Sequence, residues 1–238
     1  MISVCIATFN GEKYIREQIC SIASQISPED EIIVSDDGST DNTISVIKEL
    51  DIPNIRIIHH IQDHGYTANF ENAITHSKGD IIFLSDQDDI WLPNKVKICI
   101  EQMEKFDMVI SNAKVVDDEL RTINNSFFSL RNTHHGWLNN MIKFGYLGCC
   151  IAFKRKILEK ALPFPKSRRM CTHDNWLTLV GLTFYHVKII DKPLILYRRH
   201  NHTTSNGGFN NSTSFLFKIE YRLYLLINLL SRYVKILL

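Results

Sequence analysis

Ser77-Lys-Gly-Asp-Ile-Ile-Phe-Leu-Ser-Asp-Gln-Asp-Asp-Ile-Trp91 runs from a glycine through four apolar residues into three carboxylates. A short apolar run behind Gly79 predicts a buried strand over 81–84. At its end Asp86, Asp88 and Asp89 leave the sheet together, with Asp86 and Asp88 within reach of one ion. Carboxylates that close repel one another, so the arrangement calls for a divalent cation or hydrogen-bond donors. Hard oxygen ligands favour Mg2+ or Mn2+, which keep waters and bridge to substrate phosphates. The same trio also fits a solvated acidic turn capping a helix that begins near Pro93, and the rest of the chain must separate the two readings.

Upstream, the chain alternates strand and helix. Residues 2–7 form a short apolar strand followed by the turn Thr8-Phe-Asn-Gly11, and 12–24 carries apolar residues at helical spacing. A second strand, 31–35, ends in Asp36-Asp-Gly-Ser-Thr-Asp41, where Ser39 or Thr40 can cap a helix over 42–50. A third strand spans 54–59 and a third helix 66–77. Such alternation with short links predicts an α/β fold, a parallel sheet with right-handed crossovers. Ligands of such sheets bind outside the carboxyl ends of the strands. The turns after the first, second and fourth strands therefore share one rim. Neither G-x-G-x-x-G nor G-x-x-x-x-G-K-[ST] follows the first strand, which disfavours a Rossmann dehydrogenase and a P-loop NTPase. Bound phosphates would be neutralised by metal and side chains instead.

Downstream the pattern loosens. A helix over 94–106 leads to a fifth strand over 107–111. The span 124–140, rich in Asn, Ser and His, reads as a loop or lid, and 146–153 as a buried strand. Thr172-His-Asp-Asn-Trp176 opens a helix over 177–182, and two further strands cover 186–190 and 194–197. Arg198-Arg-His-Asn-His202 then enters a polar loop over 201–214. In the tail, 215–238, Leu216, Ile219, Leu223, Leu226, Leu230, Val234 and Leu237 recur at steps of three or four, which predicts an amphipathic helix. Lys218, Arg222, Asn228, Arg232 and Lys235 are expected to face away. Such a helix packs on its own domain, pairs with another chain, or lies on an anionic bilayer.

The bulk numbers narrow the class. At 238 residues the chain can bury a sizeable core. A net charge of +1 argues against nucleic-acid binding by bulk electrostatics. Six cysteines without a C-x-x-C pair read as reduced thiols of a cytosolic protein. With a strand-like run directly after Met1 no signal peptide is expected, and no uncharged apolar stretch approaches the ~20 residues of a membrane span. The expected location is cytoplasmic, peripheral on the membrane's cytoplasmic face if the tail meets lipid.

With these turns in place, the chain resembles an inverting family 2 glycosyltransferase with a GT-A fold, from Ile2 to about residue 206. The resemblance is carried by Ser3-Val-Cys-Ile-Ala-Thr-Phe-Asn10, Val34-Ser-Asp-Asp-Gly-Ser-Thr-Asp41, Gly65-Tyr-Thr-Ala-Asn69, Asp86-Gln-Asp88, Gly148 and His173-Asp174. Asp86-Gln-Asp-Asp-Ile-Trp91, His-Asp-Asn-Trp and Tyr197-Arg-Arg-His200 are similar to its rhamnosyltransferase-like branch. The implied architecture is a Rossmann-like, mostly parallel sheet flanked by helices. Residues 1–112 would form the nucleotide-binding half, 113–206 the acceptor half, and 207–238 a loop and C-terminal amphipathic helix.

The resemblance also implies roles. Ala7, Phe9 and Asn10 would hold the base of a UDP- or dTDP-sugar, Phe9 by stacking. Asp37 would accept from the ring N–H, with Asp36 and Asp41 supporting the turn. Asn69 would lie near base and ribose. Asp86 would serve ribose or metal, Asp88 would ligate Mg2+ or Mn2+, and His200 would complete that site or close over the diphosphate. Asp174 would be the general base for a glycan or lipid-linked acceptor in surface polysaccharide synthesis. His173 stands where the family more commonly has Glu and would tune the base or touch the acceptor. Arg198 and Arg199 are candidates for phosphate, while Trp91 and Trp176 read as core. A sugar nucleotidyltransferase is disfavoured because Thr8-Phe-Asn-Gly lacks a Gly-rich, Arg-bearing turn. A non-catalytic sugar-nucleotide or glycan-binding module would be favoured by loss of Asp88 or Asp174, and both are present.

Overall fold

The computed structural model describes residues 1–60, 64–200 and 214–234. The first half follows the predicted alternation: β1 (Ile2–Thr8), α1 (Ile15–Ala23), β2 (Glu31–Asp36), α2 (Thr43–Lys48), β3 (Ile55–His59), α3 (Tyr66–His76) and β4 (Ile81–Asp86). Then come β5 (Ile90–Trp91), α4 (Lys95–Met103), β6 (Met108–Val116), β7 (Thr122–Asn124), α5 (Phe127–Arg131) and α6 (Trp137–Ile142). The chain continues through β8 (Ile151–Lys154), α7 (Leu158–Ala161), α8 (His173–Phe184), β9 (Val187–Arg198) and α9 (Phe215–Val234). Among the described residues the strands form one sheet in the order β3-β2-β1-β4-β8-β6-β9-β5, with β7 beside β6. The first four strands are parallel, while β8 runs antiparallel between β4 and β6.

Register does the positioning. Thr8 pairs with Asp36 across β1 and β2, and Ala7 pairs with Asp86 across β1 and β4. The three strands therefore end level, and the turns after them emerge side by side at the carboxyl edge. Val4, Cys5, Ile6, Ile32, Ile33, Val34, Ile82, Phe83 and Leu84 are fully buried, as expected of strands covered on both faces. Gly79 brings the chain into β4 against β1. A Cβ there would lie 2.6 Å from Ser3 N and 2.7 Å from Ile2 C, both backbone atoms. Arg155 fastens the same turn, donating from Nε to Gly79 O at 2.6 Å and from Nη2 to Ser77 Oγ at 2.9 Å.

The chain departs from the sequence reading in four places, three of them in the second half. The span 124–140 is not a loop but holds α5 and α6. Ser126 Oγ caps α5 by accepting from Ser129 N, and Phe127 and Phe128 bury its apolar side. Polar residues at the turns hid these short helices. The strand expected over 146–153 begins with a 3₁₀ turn, Gly148–Cys150. The two strands expected over 186–197 are one, β9, which stays paired with β6 across a register break; Asn112 Nδ2 donates to Asp191 O there at 2.9 Å. The α2 helix is not capped by Ser39 or Thr40; Asp41 Oδ1 accepts from Thr43 N at 2.9 Å. The loop predicted over 201–214 lies almost wholly outside the described residues.

Helix α9 reverses its expected orientation. Arg222 and Arg232 point into the protein. Arg222 Nη2 donates to Ile142 O at 2.7 Å, and Arg232 Nη1 donates to Leu162 O at 3.3 Å. These carbonyls close short helices and have no partner in the next turn, so a guanidinium fork satisfies them. Leu225 and Leu229 are buried beside the arginines, while most of the predicted apolar stripe faces out. No helix among the described residues is long and apolar enough to cross a membrane.

Gly79→Ala should force β4 away from β1 and cost about 1–3 kcal/mol, lowering Tm by roughly 2–4 °C per kcal/mol. Thermal unfolding followed by circular dichroism checks this; an unchanged Tm would show that the turn has slack.

Candidate active site

The aligned strand ends form the floor of a cavity of about 1020 Å³. Ala7, Phe9, Asp37, Asn69, Asp86, Asp88 and Asp174 all line it, so residues far apart in sequence meet at one rim. The turn after β1 is braced by Gln87, whose Oε1 accepts from Phe9 N at 2.9 Å and whose Nε2 donates to Phe9 O at 3.1 Å. Phe9 stays half exposed, with an aromatic face open to a stacking partner. Asp37 is held from the start of α3: His64 Nδ1 lies 2.9 Å from Oδ1, and Gly65 N donates to Oδ2 at 2.8 Å. Asp36 instead accepts from Gly38 N and Ser39 N and shapes the turn. Asn69 is buried; its Nδ2 donates to Thr8 O at 3.1 Å and its Oδ1 has no partner.

Two predicted positions sit off the cavity wall. Asn10 takes a left-handed conformation with φ 49°, and its Oδ1 accepts from Thr40 N at 2.8 Å. Its side chain joins the β1 and β2 turns. His200 meets Asp88, Nε2 to Oδ2 at 2.9 Å, and stacks on Tyr14 with ring centroids 4.6 Å apart. Arg198 is buried and fully engaged. Its N donates to Asp89 Oδ1, Nε to Asp88 O, Nη1 to Asp118 O and Nη2 to Glu17 Oε2, at 2.7–3.0 Å. It is a clamp on the acidic turn, and Asp89 answers it instead of capping α4. Trp91 and Trp176 are core residues, 3% and 0% exposed.

The crowded carboxylates carry the strongest electrostatic signal. Burial first, then the charges of Asp88 and Asp174, pushes Asp86 up to about 7. Burial, followed by Asp88 and Asp86, pushes Asp89 well above the usual carboxylate range. Asp89 Oδ2 is buried without a hydrogen-bond partner. Ligand atoms of Asp86, Asp89 and Cys149 lie within 4.8 Å of one another. The Cys149 thiol is held neutral, by Cys150 and then by burial, so the competent donors are hard oxygens. An orphaned carboxylate oxygen among crowded carboxylates fits a divalent cation. Sequence reasoning named Asp86, Asp88 and His200 for this role; the spacing brings in Asp89, while Asp88 and His200 pair with each other.

Asp174 lies in the first turn of α8. Beside it His173 is buried, stacked on Phe70 at 4.0 Å, with both ring nitrogens unpartnered. Burial lowers its pKa, which keeps the imidazole neutral near pH 7. A Cβ on Gly148 would collide with its Nε2, so glycine is needed there. Tyr66 stands between the acids; burial and then the Asp174 and Asp86 charges push it up to about 12. Tyr146, Tyr197, Arg131 and Tyr221 line the far side. Sequence reading missed them as site residues. Tyr66 had a signal, lying inside the quoted Gly65–Asn69 run, whereas Tyr221 sits on the tail helix with no local cue.

The family model of glycosyl transferase family 2 matches residues 3–162, and the chain belongs to that family; it is a glycosyltransferase. It is similar to the dTDP-rhamnosyl transferase RfbG of Shigella flexneri, 30% identical over 236 residues, with 91% of this chain and 77% of RfbG covered. It is also similar to an Escherichia coli UDP-Glc:alpha-D-GlcNAc-diphosphoundecaprenol beta-1,3-glucosyltransferase, WfgD. There the identity is 25% over 167 residues, covering 69% of this chain and 64% of WfgD. The fold matches Staphylococcus aureus TarS in complex with UDP-GlcNAc, with a TM-score of 0.74 and 18% identity. That match covers 95% of this chain and 66% of the TarS chain. The GT-A architecture anticipated from the sequence is therefore the one observed.

Between about pH 4 and 7 the folded chain keeps a proton on Asp86 that the unfolded chain has released, so stability falls as pH rises through that window. In EDTA the Tm should drop from pH 5 to pH 8, by roughly 2–4 °C per kcal/mol lost, and Asp86→Asn should flatten the slope. Calorimetry at several pH values tests this; equal slopes in wild type and variant would contradict it.

Proposed function

We propose that this glycosyltransferase moves a sugar from a UDP- or dTDP-sugar to a glycan or lipid-linked acceptor, inverting the anomeric centre in a single displacement. The observation that carries the reading is the shared cleft: Asp174 faces the same cavity as Asp37, Asp86 and Asp88, close enough for its charge to raise Asp86. Phe9 stacks on the base, Ala7 lets the ring approach, and Asp37 accepts from the ring N–H. Asn69 contributes its unpartnered Oδ1 near the ribose, and Asn10 holds the turn.

Asp174 takes the proton of the acceptor hydroxyl as its oxygen attacks the anomeric carbon and the nucleoside diphosphate departs. Neutral His173 beside it can donate to or accept from an acceptor hydroxyl without adding charge. Asp86, Asp88 and Asp89, with His200 at the margin, would hold Mg2+ or Mn2+. When bound, such an ion supplies positive charge for the leaving diphosphate. The donor assignment is supported by RfbG, named for a dTDP-sugar, and by TarS, which binds UDP-GlcNAc. WfgD is named for a diphosphoundecaprenol-linked acceptor, which supports surface polysaccharide synthesis at the cytoplasmic face of a membrane.

Asp174→Asn should leave UDP or dTDP binding within about threefold of wild type while turnover of the cognate nucleotide sugar falls by roughly 10²–10⁴. Calorimetric binding and nucleotide-release assays against a donor panel test this, and unchanged turnover would remove Asp174 from its role. Chelation should abolish transfer, with Mn2+ or Mg2+ restoring it in wild type and not in Asp88→Asn; full activity in EDTA would contradict the metal assignment.

A further inference from the structure

Helix α9 docks with one side and leaves the other bare. Phe215, Leu216, Ile219, Leu223, Leu226, Ile227, Leu230 and Tyr233 are 37–77% exposed. At about 100° per residue these eight side chains fall within an arc of roughly 120°, and none of the helix's charged residues lies inside it. Six of them, Leu216, Ile219, Leu223, Leu226, Leu230 and Tyr233, follow strict steps of three and four. That is the a/d spacing of a helix–helix seam over more than two heptads, and Leu237, outside the described residues, continues it in sequence.

The choice of occupant follows from charge and area. A helix lying on an anionic bilayer keeps Lys and Arg along its edges for the headgroups. Here Arg222 and Arg232 are turned inward onto the carbonyls of Met141, Ile142, Leu162 and Pro163, and Lys218 is the exposed cation of the described helix. The bare face amounts to something on the order of 800 Å², what one partner brings to a standard stable interface. A seam of this spacing is also self-complementary, as a two-fold contact requires. We propose that α9 pairs along this seam with α9 of a second copy of the chain. The opposite side of the same helix carries Tyr221 to the cleft, where Asn175 Nδ2 donates to its hydroxyl. Pairing would thus steady one wall of the cleft.

Sedimentation equilibrium of the full chain at micromolar to tens-of-micromolar concentration should give a dimer. The double variant Leu223→Glu/Leu226→Glu should weaken association at least about thirtyfold while far-UV circular dichroism and Tm stay near wild type, because both side chains are solvent-exposed in the single chain. Should that variant misfold, Leu216→Glu at the open end of the seam serves the same purpose. Co-sedimentation with 3:1 phosphatidylcholine:phosphatidylglycerol vesicles runs in parallel. A wild type that stays monomeric, with or without vesicle binding, or a folded variant that stays dimeric, overturns the proposal.

Discussion

The repulsion among carboxylates gathered at the edge of one sheet is the constraint on which this site depends. Asp86, Asp88 and Asp89 occupy a turn that β4 delivers level with the ends of β1 and β2, and α8 adds Asp174 from across the cleft. A fold seeking only stability would pair or discard such groups. Here Asp86 is pushed up to about 7 and Asp89 Oδ2 is left without a partner, a cost that makes sense where a cation and a diphosphate complete the balance.

The surroundings keep the acids crowded and in place. Arg198 spends its donors on the backbone of the acidic turn, on Asp89 and on Glu17, tying β9 to that turn without filling the cleft. Gln87 locks the turn after β1, and His64 with Gly65 locks Asp37. These polar contacts position the first-strand and aspartate turns relative to one another. The cleft's far wall, with Tyr146, Tyr197 and Tyr221, is aromatic, a surface suited to the faces of sugar rings.

How much of this was legible in the sequence follows a physical division. Strand ends and their turns are local, so Phe9, Asp37, Asn69, Asp86, Asp88 and Asp174 could be named from motifs and fell on one cavity. The clamp by Arg198, the place of Asp89 among the proposed ligand oxygens and the entry of Tyr221 depend on pairings more than a hundred residues apart, or on a helix docking by its less apolar face. Helices α5 and α6 look like loop in the sequence because short elements held by two buried residues each, Phe127 and Phe128 in α5 and Asn140 and Met141 in α6, carry little periodicity. The tail's heptad spacing was visible, but which side of it faces solvent was set by unsatisfied carbonyls on other elements.

The proposed convergence of these acids on one ion and one nucleotide can be tested through histidine ring resonances during titration with Mn2+ and UDP or dTDP. His64, His173 and His200 line the cleft or touch Asp88, whereas His186 pairs with Asp107 at the opposite end of the sheet. Paramagnetic broadening should reach the first three at one equivalent of Mn2+ and spare His186. Broadening of His186 with His173 unaffected would contradict a single site between the aspartate turn and Asp174.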